Sequence, residues 1–70
     1  MDYASLLTND QKKAILEQRI AQFASEAYQH DINKKMAGDN AEAIDAANAA
    51  LAVLDSAIKI HQEELAKLGE

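Results

Sequence analysis

The 70-residue chain has no cysteine, no proline and no tryptophan, and only two glycines. Without cysteine there is no disulfide staple, no thiolate metal site and no thiol chemistry, an absence that fits a reducing compartment. Without proline, no helix is obliged to break from within. The aromatics are three: Tyr3, Phe23 and Tyr28. No apolar run approaches the ~20 residues that cross a bilayer. The opening Met1-Asp2-Tyr3 places an acid where a secretory signal carries positive charge, and no apolar segment follows it. The expectation is therefore no membrane and synthesis in the cytoplasm of the expressing cell. Cations are also scarce: seven Lys and Arg stand against twelve Asp and Glu, net −5. That balance argues against nucleic acid, whose backbone is bound by Lys and Arg.

The charge is unevenly spread. Residues 9–37 carry five cations and four anions, net +1, whereas residues 39–70 carry two cations and seven anions, net −5. Asp2 supplies the remaining −1. A partner of the second half is better basic than acidic.

Alanine fills fifteen positions and raises helix propensity throughout. After a short lead over residues 1–8, Thr8-Asn9-Asp10-Gln11 has the pattern of a capping box, with Thr8 as cap and Gln11 reaching back. Leu7 and Lys12 make no hydrophobic staple there. The first helix is predicted from about Asn9 to Met36, with Lys34 and Lys35 in its last turn and Gly38 where a left-handed residue is wanted. Asp39-Asn40-Ala41-Glu42 reads as a second capping box. The second helix is predicted from about Asn40 to Leu68, ending at Gly69 as another left-handed cap. A turn of residues 37–39 makes the two helices antiparallel neighbours. The fold class predicted is all-α: one two-helix antiparallel coiled-coil hairpin over residues 9–70, assembling further into a helical bundle.

The second helix carries a heptad seam: Ile44, Ala47, Leu51, Leu54, Ile58, His61, Leu65 and Leu68. Its mean period of 3.5 residues keeps one stripe on one partner helix. Such a helix is not stable alone, and the first half supplies a partner through Leu16, Ile20, Phe23, Ala27 and Ile32. With facing numbers summing to about 77 (residues equally far from the turn), Leu54 meets Phe23, Ile58 meets Ile20, His61 meets Leu16 and Ile44 meets Ile32. After Ala27 the apolar stripe of the first helix slides toward Tyr28, Ile32 and Met36, a stutter that would straighten the coil near the turn.

A second row lies beside the seam: Ala43, Ala46, Ala50, Val53, Ala57 and Ile60. One reading is alanine serving helix propensity on a solvated face. The other is an association face, because Val53 and Ile60 are not chosen for helix propensity. Two hairpins meeting there would form a four-helix bundle.

His61 is the one seam residue with titratable chemistry. It reads either as a histidine near the open end whose ring reaches water or a carboxylate, or as a register or pH device that charges near pH 6. The pairs Glu26–His30 and His61–Glu64 share helical faces, but neither has the order and spacing of a carboxylate-bridged bundle site, and no metal is expected. Tyr28-Gln29-His30 reads as a core flank or a polar-aromatic contact patch. Ser5, Ser25 and Ser56 have no neighbouring base, and Glu63 and Glu64 point to different faces. No catalytic residue and no cofactor is identified, so the chain is not expected to be an enzyme.

The wording Asp2-Tyr3, then Leu7-Thr8-Asn9-Asp10-Gln11-Lys12-Lys13, resembles small uncharacterised helical proteins of tailed phages that infect actinobacteria. So do Glu26-Ala27-Tyr28-Gln29-His30 and Leu54-Asp55-Ser56-Ala57-Ile58. The resemblance implies a phage-encoded accessory or virion component and brings no catalytic residues. The function expected is a non-enzymatic protein-binding hairpin, working as a homo-oligomer or as a subunit of a larger assembly such as a virion or tail. The rival is a small regulator or inhibitor that binds a host or phage protein through its acidic second helix.

Overall fold

In the computed structural model, which describes residues 2–69, the chain forms a 3-10 turn and two long helices. Helix α1 spans Asn9–Met36 and helix α2 spans Ala41–Leu68, 28 residues each. They pack against each other as a helical hairpin measuring 49 × 20 × 19 Å, with no strand among the described residues. The radius of gyration, 15.7 Å, exceeds the about 11 Å of a compact chain of this length, so the molecule is a rod.

The start of α1 follows from its capping box. The Gln11 N–H donates to Thr8 Oγ1 at 3.1 Å, and the Thr8 N–H donates to Gln11 Oε1 at 2.9 Å. Ahead of it the lead is ordered: Tyr3–Leu6 form the 3-10 turn, capped by the Asp2 carboxylate, which accepts from the Ala4 N–H at 3.1 Å. At the far end Gly38 takes φ +59°, the left-handed residue that lets the chain reverse after Ala37.

Two caps differ from the sequence expectation. The N-cap of α2 is Asn40, not Asp39: its side chain accepts from the Ala43 N–H at 3.2 Å, and α2 begins at Ala41. With the cap moved one residue on, Ala43 rather than Glu42 occupies the third helical position, so a reciprocal box cannot form. Gly69 has φ −82°, an ordinary right-handed conformation, because the Gly69 N–H simply continues the last turn onto the Ala66 carbonyl at 3.2 Å.

At 100° per residue, Ala47, Leu54, His61 and Leu68 form the midline of the face that α2 turns to α1. Ala47 and Leu54 are the two buried residues of the hairpin, and His61 and Leu68 are half-buried. Ile44, Leu51, Ile58 and Leu65 flank this midline on one side and are half-buried. The facing row of α1 contains Leu16, Ile20, Phe23 and Ala27, all half-buried. It then continues in unbroken 3-4 spacing through His30 and Lys34 to Ala37. The expected stutter is absent. The packed face keeps its heptad across polar residues, while the apolar stripe leaves it. Ile32 is half-buried although it lies half a turn round the helix from Phe23, and Tyr28 and Met36 stay 67% and 79% exposed.

Candidate interaction surface

The seam is tied by one polar cluster near the open end. The His61 ring stands edge-on to Phe23, with centroids 5.1 Å apart and planes at 72°. The Arg19 guanidinium lies over the same phenyl ring at 5.6 Å, and its Nε–H donates to His61 Nε2 at 3.0 Å. His61 Nδ1 is 2.6 Å from the Ala57 carbonyl of its own helix. His61 meets Arg19 and Phe23, both nearer the turn than the Leu16 that equal counting places opposite it, and its ring is bonded to Arg19, where the sequence leads to water or a carboxylate. Counting residues equally far from the turn ignores that helical side chains lean toward their own N-terminus. In an antiparallel pair the two leans converge, so His61 reaches up to Phe23 as Phe23 reaches down to it.

The second row of α2 divides in two. Ala43, Ala50 and Ala57 are half-buried, because they flank the midline on the side opposite Ile44, Leu51 and Ile58 and so border the hairpin's own interface. Ala46, Val53 and Ile60 are exposed, the last two by 70% and 58%. What the sequence presents as one association face is therefore the edge of the packed groove plus an outer ridge of three residues seven apart.

That ridge runs toward an apolar recess at the open end. The lead folds back so that Tyr3, Ala4 and Leu7 line the recess with Ile15 and Leu16 of α1 and Leu68 of α2, enclosing about 240 Å³. Lys12 and Glu64 supply one charge of each sign at its wall. Glu64 is one helical turn beyond Ile60, so the ridge and the recess lie on the same side of α2. Sequence reasoning missed the contribution of the lead. The apolar positions Tyr3, Leu6 and Leu7 are visible in the sequence, but that Tyr3 and Leu7 line the hairpin end while Leu6 stays 65% exposed follows the Asp2-capped turn, which periodicity does not reveal.

Ion pairs lie on solvated faces: Lys35–Asp31, Lys59–Asp55 and Lys67–Glu64, each 3.2 Å. Exposed pairs of this kind contribute about 0.2–1 kcal/mol and do not decide the fold. Among the described residues no group of three or more His, Asp or Glu side chains could hold a metal ion, and no helix is long and apolar enough to cross a membrane. The chain matches no family model, no curated protein and no solved structure.

Proposed function

We propose that the chain is a non-enzymatic protein–protein interaction module: a hairpin that associates through the Ala46–Val53–Ile60 ridge and the adjoining open-end recess, with a second copy as the occupant we favour. The observation that carries this reading is the uncovered apolar side of α2. Val53 and Ile60 are 70% and 58% exposed beside a recess lined by five further apolar side chains of the lead and α1, Tyr3, Ala4, Leu7, Ile15 and Leu16. The surface area points the same way. The hairpin exposes 5359 Å², against roughly 4300 Å² for a compact monomer of its mass. The excess, about 1000 Å², is comparable to the ~800 Å² that each partner contributes to a standard interface. The recess wall carries one charge of each sign, so a twofold contact can set Lys12 of one copy against Glu64 of the other. Two hairpins joined in this way form a four-helix bundle.

The test is the double variant Val53→Glu with Ile60→Glu, followed by light scattering on a sizing column and by circular dichroism. The expected result is a monomer that keeps most of its helicity. A mass identical to wild type would remove the ridge from the interface.

As a subunit of something larger, the setting we propose is a phage virion or tail assembly, carried by the sequence resemblance alone. A second reading, a regulator or inhibitor that binds a basic partner through α2, is favoured by the charge of that helix. Glu42, Asp45 and Glu63 form no ion pair among the described residues. A structural subunit copurifies with particles at fixed copy number, and an inhibitor does not.

A further inference from the structure

Among the described residues, the Arg19–His61 contact is the one side-chain hydrogen bond that crosses between the helices. Its chemistry fixes the state of the ring. An arginine Nε–H can only donate, so His61 Nε2 must present a bare lone pair. The Ala57 carbonyl can only accept, so the proton of the neutral ring sits on Nδ1. Both ring nitrogens are thereby committed, and the ring is held against Phe23, which also carries the Arg19 guanidinium on its face.

We propose that Arg19, Phe23 and His61 form a proton-sensitive latch that closes the open half of the hairpin. A proton added to Nε2 occupies the position to which the Arg19 Nε–H points, so the hydrogen bond is lost and two cations face each other. No carboxylate relieves that repulsion in place. Among the described residues none lies within ion-pair distance of His61. Glu64, one turn along α2, is engaged with Lys67 at 3.2 Å. On α1, Glu17 lines a separate cleft with Leu65, and Lys12 adds positive charge at the recess. In the lead, Asp2 is turned to the Ala4 N–H. His30 lies seven residues from Phe23 along α1, roughly 10 Å at 1.5 Å per residue.

The direction of the pH effect follows from the hydrogen bond: a proton on Nε2 removes the Arg19 bond and sets two cations face to face, so acid weakens the closed hairpin.

The test compares thermal melts at pH 7.5 and 5.0, at one protein concentration, for wild type, His61→Gln and His30→Gln. Carboxylate titration is common to all three. Wild type and His30→Gln are expected to lose about 5 °C more in Tm than His61→Gln on going to pH 5.0. Nitrogen-15 NMR of the wild-type ring at pH 8 gives a second readout that needs no variant to fold: the proton is expected on Nδ1, with Nε2 bare. Equal losses in wild type and His61→Gln, or a folded ring that carries its proton on Nε2, would overturn the proposal.

Discussion

The two helices are equal in length and unequal in what they bring to their shared face. Helix α1 offers Leu16, Ile20, Phe23 and Ala27 and then continues its packed row through His30 and Lys34; no residue of it is buried. Helix α2 holds both buried residues, Ala47 and Leu54, has apolar or alanine flanks on each side of that midline, and still leaves Val53 and Ile60 outside. A broad apolar arc on one helix thus meets a narrow one on the other. The narrow helix cannot cover the broad one. The mismatch is why a two-helix protein presents an uncovered ridge, and why the burden of holding the pair falls on a few α2 side chains.

That asymmetry can be broken most severely at Leu54. Leu54→Ala removes the largest buried side chain, and the expected loss is about 2–4 kcal/mol. Because a chain of this size has only a few kcal/mol to lose, far-UV circular dichroism at 25 °C should show the hairpin largely unfolded. Leu16→Ala, on the half-buried row of α1, should cost roughly half as much in the same melts, since less contact is removed.

The next effect sharpens the comparison at the ends of the helices. At Gly38, φ +59° is strained for any residue with a Cβ, and no atom lies within 4 Å of the position a Cβ would take. Gly38→Ala should therefore cost about 1–2 kcal/mol of pure backbone strain. Gly69→Ala should stay within about 0.5 kcal/mol, because that glycine is already right-handed. Denaturant melts of the pair separate the two cases. Asn40→Ala should lose about 1 kcal/mol with the N-cap bond, while Asp39→Ala changes stability by less than about 0.5 kcal/mol. A larger loss at Asp39 would return the cap to the position the sequence suggests. Smallest of all, Lys59→Ala severs an exposed i,i+4 pair with Asp55, and a loss of about 0.3–0.5 kcal/mol is expected, vanishing in 1 M salt.

Much of this molecule is legible in the sequence because local rules and the tertiary fold agree. The Thr8–Gln11 box sets the start of α1, Gly38 sets the reversal, and the heptad from Ile44 to Leu68 marks the packed face of α2. Legibility fails where two local signals compete or where a side chain is long. Asp39 and Asn40 are adjacent cap candidates, and only the backbone decides between them. The run Tyr28, Ile32, Met36 is a hydrophobic signal that the packing does not follow, because α1 holds one continuous heptad against α2 and cannot rotate locally toward that stripe. For the candidate surface, Val53 and Ile60 stand out as apolar residues off the seam, but the alanines between them belong to both rows by periodicity alone. The Arg19–His61 bond was beyond reach, since it joins side chains whose lean cannot be counted from residue numbers.

The central claim, that α2 carries more apolar surface than its own hairpin covers and that a second copy covers the remainder, is tested most directly by solution mass and helicity measured together across a concentration series. Light scattering should give a mass above one chain that rises toward a defined oligomer, with helicity at 222 nm rising in step. A monomer at every concentration with full, cooperatively melting helicity would contradict it.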